Sequence, residues 1–175
     1  MDLALATPAD ARTIADLRLA AGVHLTAQYG QGPWSAGVTE KGVLFTMRQA
    51  TLYIAHHQGE LAATFTLGTR KPWAIDKRYF ASSQRPLYLT AMAVLPNHQG
   101  QGLGRACLVE AERIAQAWPA DAIRLDAYDA PAGAGAFYTK CGFREVGRAA
   151  YRGTPLIYCE LLLDGGRPRV APVFL

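Results

Sequence analysis

The sequence predicts a single α+β domain in which helices and strands share one core. Its 175 residues suit one compact domain, and 50% of them are hydrophobic while 18% are charged, which argues against disorder. No apolar run reaches the roughly 18 residues of a membrane span. Apolar residues recur with helical spacing in some segments and in short strand-like runs in others. We therefore predict one mixed α/β domain over residues 1–164, followed by a C-terminal tail at residues 165–175 that is rich in Gly, Pro and Arg.

The first helix is predicted to begin after Thr7, which has the order of a capping sequence. Pro8 follows at the first helical position, and Asp10 lies three residues after the cap. The expected apolar face of this helix consists of Ile14, Leu17 and Val23. A weaker helical pattern covers roughly residues 39–48.

Two short strands follow, and their spacing predicts a hairpin. Residues 52–55 and 61–67 are apolar runs joined at Gln58-Gly59, a sequence suited to a tight turn. Residues 68–86 contain Lys-Pro, Ser-Ser and Arg-Pro steps, which predict the longest loop of the chain. A further strand is expected at residues 87–94, after this loop.

The second half of the chain alternates helices and strands. Apolar residues spaced three or four apart predict a helix over residues 102–118, ended by Pro119, with the face Leu103, Cys107, Ala111, Ile114 and Trp118. The remaining elements are a strand at 122–128, a short helix at 132–141 that stops at Gly142, and strands at 144–151 and 156–163.

Charge and cysteine content exclude several classes of protein. The formal net charge of +4 is too small and too dispersed to indicate nucleic-acid binding. Asp2 stands where a secretory signal would carry Lys or Arg, so no export signal is predicted. Cys107, Cys141 and Cys159 are odd in number and widely spaced, which indicates neither a disulfide framework nor a zinc motif. We expect reduced thiols in a cytoplasmic protein.

Residues 99–105 form a glycine loop, Gln-Gly-Gln-Gly-Leu-Gly-Arg, between a strand and a well-patterned helix. Backbone N–H groups at a helix N-terminus attract anions, and glycines let a phosphate approach the main chain closely. The loop therefore predicts a phosphate or diphosphate site. The same glycines would also suit a plain strand-to-helix turn.

The sequence of this loop can be compared with two other phosphate-binding motifs. A nucleoside-triphosphate loop ends in Gly-Lys-Ser/Thr, whereas this one ends in Gly-Arg-Ala. A dinucleotide loop, Gly-x-Gly-x-x-Gly, matches at its first two glycines and is followed at near the expected spacing by Asp121 or Asp126. Arg105 takes the place of its third glycine, so this interpretation is the second choice.

Residues 94–105, with the pattern Val-x-Pro-x-x-Gln-Gly-x-Gly-x-Gly-Arg, resemble the acetyl-CoA loop of the GNAT acetyltransferase superfamily, whose signature is Gln/Arg-x-x-Gly-x-Gly/Ala. Residues 134–143, which contain Phe-Tyr-x-Lys-x-Gly-Phe, resemble that superfamily's second motif, a short helix over the pantetheine arm. The resemblance implies a GNAT-like three-layer fold. It has a central, mostly antiparallel sheet of about seven strands and four helices, and it is splayed between the fourth and fifth strands.

By the same resemblance, the cofactor is acetyl-CoA and the product is CoA. The glycine loop would bind the pyrophosphate, and the fourth strand would offer main-chain hydrogen bonds to the pantetheine. The residues expected at the cofactor are Met92, Ala93, Val94, Gln99, Gly100, Gln101, Gly102, Leu103, Gly104, Arg105, Phe137 and Lys140. Pro131 stands where many members place an asparagine, so a side-chain contact to the pantetheine is not expected there.

Acetyl transfer to an amine requires an acid for the leaving thiolate, a stabilised oxyanion and a route for the amine proton. Tyr138 matches the family's usual acid, and a backbone N–H at Ala93 or Val94 would meet the oxyanion. Tyr88 is the candidate for positioning a water or base. Asp126 and His98 are titratable alternatives.

Three aromatic residues in the least regular segments, Tyr29, Trp34 and Trp73, are expected to line the acceptor pocket. His56 and His57 are adjacent on a strand and point to opposite faces, so no metal site is predicted. Cys141 lacks a neighbouring base in the sequence and is expected to be a spectator.

The function predicted from these observations is acetyl-CoA-dependent N-acetyl transfer to a primary amine by direct attack in a ternary complex. A small-molecule amine is the expected partner, with no nucleic acid and no membrane, and a homodimer is possible. The alternatives are a protein or peptide N-acetyltransferase and a non-catalytic acyl-CoA-binding domain.

Overall fold

The computed structural model describes residues 1–163, which form a seven-stranded sheet with helices on both faces. The strands are β1 (Asp2–Leu5), β2 (Thr51–His57), β3 (Glu60–Gly68), β4 (Pro86–Val94), β5 (Ala122–Tyr128), β6 (Arg144–Tyr151) and β7 (Thr154–Leu162). The longer helices are α1 (Ala11–Tyr29), α2 (Glu40–Met47), α3 (Leu103–Ala117) and α4 (Gly135–Lys140). The predicted fold class and element order are confirmed. The predicted tail at residues 165–175 lies outside the described residues.

The sheet is antiparallel except at its centre. Its spatial order is β1-β2-β3-β4-β5-β7-β6, and β4 with β5 is the parallel pair. That pair is joined at three positions, from Pro86 with Ala122 to Tyr88 with Arg124. Beyond them β4 and β5 continue without pairing, so the sheet opens into a V. The predicted splay between the fourth and fifth strands is confirmed.

The two faces of the sheet carry separate cores. Helices α3 and α4 pack on one face, hereafter the donor face, in a cluster that includes Phe65, Leu87, Leu89, Cys107, Ala111, Ile123, Leu125 and Tyr138. Helices α1 and α2 pack on the other, hereafter the acceptor face, in a cluster that includes Ala11, Ile14, Ala15, Val43, Leu52 and Ile54. Each fully buried Leu or Ile side chain contributes roughly 1.5–3 kcal/mol to folding, so both helical layers are held firmly to the sheet.

The helix starts follow the capping signals in the sequence. The Thr7 backbone N–H donates to Asp10 Oδ2 at 2.7 Å, and a short 3-10 turn at Pro8–Asp10 leads into α1. Thr39 Oγ1 accepts a hydrogen bond from the Gly42 N–H at 3.2 Å and caps α2. Within residues 1–163, no helix combines the length and apolar character that a membrane crossing requires.

Three local expectations were wrong. Val23 is 60% exposed, because only the first half of α1 packs against the sheet. Trp118 is 48% exposed, because α3 ends at Ala117 and the residue after it does not continue the apolar face of the helix. Helix α4 begins at Gly135, later than expected. A Cβ at Gly133 would lie 1.8 Å from the carbonyl oxygen of Tyr128, so this glycine occupies a tight turn before the helix.

Candidate functional site

Beside the opening between β4 and β5, strand β4 carries an irregularity. Thr64 pairs with Ala93 and Thr66 pairs with Thr90, so β4 carries one residue more than β3 between these pairs. Ala91 lies in this bulge and has a φ of 50°, a conformation that costs an ordinary residue about 1 kcal/mol. After the bulge β4 pairs with β3 only, and its edge toward β5 is free to offer backbone groups to a ligand.

The glycine loop adopts conformations that explain two of its glycines. Gly100 and Gly102 have φ values of 74° and 81°, in the left-handed region where a side chain is unfavourable. No atom lies within 4 Å of a Cβ built on either residue, so the backbone and not crowding requires glycine here. Gly102 is also the N-cap of α3. The loop therefore presents N–H groups at the positive end of a 15-residue helix.

Gly104 has a different role, which is close packing. A Cβ on this residue would lie 3.1 Å from Phe137 Cζ and 3.6 Å from Met92 Cε. The first turn of α3 thus touches both α4 and the bulge of β4. The three elements that the sequence assigned to one site are brought together.

The polar side chains of the loop brace its own backbone. Gln99 Nε2 donates to the carbonyl of Val94 at 3.0 Å, and Gln101 Nε2 donates to the carbonyl of Asn97 at 2.8 Å. Arg105 Nη2 donates to the carbonyl of Lys140 at 3.2 Å and ties α3 to α4. The side chains hold the loop in shape, and its N–H groups are left to bind an anion such as a diphosphate.

Tyr138 lies at the bottom of the opening on the donor face. It is 8% exposed, and its hydroxyl contacts Met92 Sδ at 3.8 Å. Phe137 and Phe143 pack around its ring, with centroids 5.3 Å and 5.7 Å away. Burial raises the pKa of the phenol well above its usual range, helped by the nearby Asp126 and two cysteine thiols. The group therefore keeps its proton throughout the neutral pH range.

A pocket of about 300 Å³ opens on the acceptor face beside β4. Its walls come from the end of α2, the end of β3, the loop after β3 and the first half of β4, and include Phe45, Arg70, Lys71, Trp73, Tyr88 and Thr90. Trp73 is 79% exposed at its mouth, whereas Tyr88 is 2% exposed. Two of the residues expected at the acceptor side are thus found on one pocket.

Asp126 lies across the opening from this pocket. Arg124 pairs with Tyr88, and side chains two residues apart on a strand share a face, so Asp126 lies on the acceptor face of β5. It is half-buried, and burial raises the pKa of its carboxyl. Among the titratable alternatives, Asp126 is the one that the fold places at the opening.

The remaining candidates lie on other elements than the pocket beside β4. His98 Nε2 bonds to Glu60 Oε2 at 2.9 Å and its ring packs edge-on against His57 at 5.5 Å, so it joins the loop to the β2–β3 hairpin. Tyr29 ends α1 as an exposed residue. Trp34 packs edge-on against Tyr128, with ring centroids 5.8 Å apart, at the end of β5 that does not pair with β4, two residues beyond Asp126. The three aromatic residues expected at the acceptor are therefore not gathered on one pocket.

Cys141 is half-buried, and burial raises the pKa of its thiol. A raised pKa keeps the thiol protonated and unreactive. The cysteines at 107, 141 and 159 are all free, as the sequence predicts.

One residue near the pocket was missed by the sequence analysis. Arg18 lies on the inner face of α1, four residues after the buried Ile14, and its Nη2 is 3.4 Å from the hydroxyls of Thr64 and Thr66. The sequence did contain a signal for it. Residues four apart share one face of a helix, so Arg18 is a charged residue on the apolar face that Ile14 marks.

Comparisons with known proteins agree with this geometry. The sequence profile of the Acetyltransferase (GNAT) family matches residues 21–143, a span that includes the glycine loop and Tyr138. No curated protein sequence matches the chain.

Solved structures share the whole fold at low identity. An N-acetyltransferase from Staphylococcus aureus Mu50 is 18% identical, with a TM-score of 0.68 over 93% of this chain and 98% of that chain. The ribosomal-protein-S18-alanine N-acetyltransferase from Escherichia coli is 16% identical, with a TM-score of 0.70 over 97% and 98%. The protein yncA from Salmonella typhimurium, solved with its cofactor acetyl-CoA, is 18% identical, with a TM-score of 0.67 over 97% and 98%.

Proposed function

The chain belongs to the GNAT acetyltransferase family, and from that membership we propose that it transfers an acetyl group from acetyl-CoA to the primary amine of a small molecule. The observation that carries this proposal is the opening between β4 and β5, which has an anion-binding loop on one face and a separate pocket on the other. Two ligands that enter from opposite faces can meet there. Direct attack in a ternary complex requires that arrangement.

The donor face has features that fit CoA. The N–H groups of residues 99–105 would hold the pyrophosphate at the start of α3, and the unpaired backbone edge of Met92–Val94 would hydrogen-bond the pantetheine arm. Phe137, which packs against Gly104, would lie along that arm. When bound, acetyl-CoA supplies an acetyl group activated as a thioester. Pro131 is exposed and offers no side-chain donor, so backbone contacts would dominate.

Tyr138 is the residue we assign to protonate the leaving thiolate. Its phenol is protonated at neutral pH because burial raises its pKa, and it faces the bulge of β4 through its contact with Met92. A thiolate that forms beside this hydroxyl is shielded from water by the same site, which raises its basicity as well, and it would take the phenol proton as it leaves. A backbone N–H at Ala93 or Val94, on the free edge of β4, would stabilise the oxyanion.

The amine must lose a proton before it attacks, and we assign its acceptance to Asp126. A half-buried carboxyl with a raised pKa is a better base than an ordinary aspartate. Tyr88, buried beside the pocket, is assigned to positioning the amine or a water between them. His98 has no part in this scheme, because it is engaged with Glu60.

The size of the pocket supports a small acceptor. Residues from α2 to β4 line an open depression of about 300 Å³, which is at the lower end of the volumes of small-molecule sites and smaller than an extended peptide requires. Transfer to a protein remains the alternative to be tested, since it needs an open groove along the same opening.

The decisive experiment combines binding and turnover. We expect acetyl-CoA and CoA, but not NAD, to raise the melting temperature of the purified protein, and we expect thiol release when a panel of small amines is added. Mass spectrometry of an acetylated peptide panel tests the protein alternative. Tight CoA binding with no acetylation of any amine or peptide would instead support a non-catalytic acyl-CoA-binding domain.

A further inference from the structure

Arg18 is a half-buried arginine whose guanidinium has no counter-ion among residues 1–163. Its Nη2 makes two hydrogen bonds of 3.4 Å, to Thr64 Oγ1 and Thr66 Oγ1, both longer than the usual N–H···O range. Its Nε is buried and has no hydrogen-bond partner in the described part of the chain. Burial lowers the pKa of the guanidinium to about 10, so the group is still charged at neutral pH.

Arg124, which is 3% exposed, shows how this fold pairs a fully buried arginine. Arg124 Nε donates to Glu160 Oε1 at 2.9 Å, and its Nη2 donates to the carbonyl of Ala81 at 2.6 Å. A buried charge is normally paired in this way, because desolvation without a partner is costly. Arg18 has uncharged hydroxyls where Arg124 has a carboxylate. The guanidinium of Arg18 therefore has capacity left to bind an anion.

The sheet register places Arg18 beside the proposed acceptor site. Thr66 pairs with Thr90, and Thr90 lines the acceptor pocket. Thr64 pairs with Ala93, whose backbone borders the opening. Paired residues on neighbouring strands present their side chains on the same face, about 5 Å apart. The guanidinium thus lies between the pocket and the place where the thioester would be attacked.

The pocket itself favours an anion. Arg70 and Lys71 lie on its wall, and no Asp or Glu is among its lining residues. Lys71 Nζ donates to the carbonyls of Pro72 and Ile75 at 2.8 Å and 2.7 Å, which fixes its charge near the entrance. The charged residues that line the pocket are therefore all positive.

We propose that Arg18 binds the carboxylate of the acceptor, and that the acceptor is a small amino acid or a similarly short amino carboxylate. This inference rests on the proposed function, since it names the substrate class of the same site. The planar guanidinium can hold a carboxylate through two parallel N–H···O bonds. Arg18 contacts β3, which lies one strand spacing of about 5 Å from β4, so we expect a short spacer of only a few carbon atoms between the acid and the amine of the acceptor.

The test uses matched acceptors that differ only at the acid. Alanine, leucine and phenylalanine are each compared with their primary amides and with the amines that lack the carboxyl group, at saturating acetyl-CoA. For the wild-type protein we expect kcat/KM for the acid to exceed that for the amide by about 10- to 100-fold, as for a charge-assisted hydrogen bond. The difference should appear mainly in KM.

Arg18→Met removes the charge and keeps an apolar chain of similar length. We expect it to abolish the preference for acids while rates with the amides change less than about threefold. Arg18→Lys, which keeps the charge but loses the fork, should restore part of the preference. Arg12→Met is the matched control, because Arg12 lies on the same helix at an exposed i,i+4 pair with Asp16 and should behave as wild type.

Equal kcat/KM for acids and amides in the wild-type protein would overturn the inference whatever the variants do, so a poorly folding Arg18→Met does not prevent the test. An unchanged preference for acids in a folded Arg18→Met protein would also overturn it. In both cases acetylation of the amides would leave the proposed function standing. Absence of acetylation with every amine, despite CoA binding by titration calorimetry, would reject the proposed function and the inference with it.

Discussion

The hydroxyl of Tyr138 contacts Met92 Sδ at 3.8 Å, which connects helix α4 to the bulge of β4. A phenol in contact with a thioether has a weak hydrogen-bond partner. Its proton is therefore available to a better acceptor that enters the opening.

Tyr138→Phe removes this proton donor while it keeps the ring among Phe137 and Phe143. We expect kcat to fall by about 100-fold or more, which is the usual range for loss of an acid, and the affinity for CoA to stay within about twofold. Steady-state kinetics and titration calorimetry measure the two quantities. Tyr79→Phe, at an exposed tyrosine, should leave both unchanged, and a Tyr138→Phe protein with normal kcat would remove Tyr138 from the mechanism.

Asp126→Asn tests the proposed base through pH. Burial raises the pKa of this carboxyl, so activity in the wild-type protein should decline as the pH falls through a value above the usual range of aspartate. The variant should lose most of its activity together with this acidic limb. A pH profile of kcat/KM that keeps its acidic limb in the variant would point to another base.

The same variant has a predicted effect on stability. Because the folded-state pKa of Asp126 is raised above its unfolded value, protonation favours the folded state, and this contribution is lost as the pH rises through the folded pKa. Asparagine avoids the cost of the buried negative charge, so Asp126→Asn should melt at a higher temperature than wild type at pH 7. The advantage should vanish below about pH 4, where the carboxyl is protonated in the folded and the unfolded states alike, as thermal melts across this range would show.

Alanine substitutions in the glycine loop separate backbone strain from packing. Gly102→Ala meets no atom but must keep a φ of 81°, so it should lower the free energy of unfolding by about 1 kcal/mol. Gly104→Ala has no such strain but would press on Phe137, so its main effect should be weaker CoA binding. Urea titration and calorimetry distinguish the two, and equal effects of both variants on both measurements would contradict the assignment.

Glu160→Gln tests the buried pair beneath the loop at residues 69–85. Glu160 is 2% exposed and accepts from Arg124 and from the N–H of Ala81. Removal of its charge leaves Arg124 uncompensated, so we expect a loss of about 3–5 kcal/mol in the free energy of unfolding. Asp16→Asn, at an exposed ion pair, should change it by less than about 0.5 kcal/mol. Chemical denaturation measures both.

Local features of the site could be predicted from sequence. Gly100 and Gly102 adopt positive φ values, which a glycine between a strand and a helix commonly does. The order of strand, loop and helix was enough to predict an anion site, because that site lies at the N-terminus of the helix. The role of Tyr138 and the splay between β4 and β5 were predicted from the resemblance to a family, because no local pattern of residues indicates either.

Contacts between distant segments could not be predicted. Arg18 meets Thr64 and Thr66 at sequence separations of 46 and 48 residues, and their meeting depends on how α1 crosses the sheet. His98 was a candidate because it lies beside the loop in the sequence. In the structure its ring bonds to Glu60, 38 residues away, on the β2–β3 hairpin. The exposed Val23 shows the same limit, since a helical pattern does not reveal where the helix leaves the sheet.

The three residue pairs between β4 and β5 join the two halves of the sheet, β1–β4 and β5–β7. The carboxylate of Asp121 secures this end by accepting from the N–H groups of Gln84 at 2.7 Å and Arg85 at 3.1 Å. Beyond Tyr88 and Arg124 nothing in the described strands ties the two halves together. If two ligands meet in the opening as proposed, their separation depends on the closed end of the sheet, and a substitution at Asp121 should alter the reacting distance while both binding surfaces keep every residue.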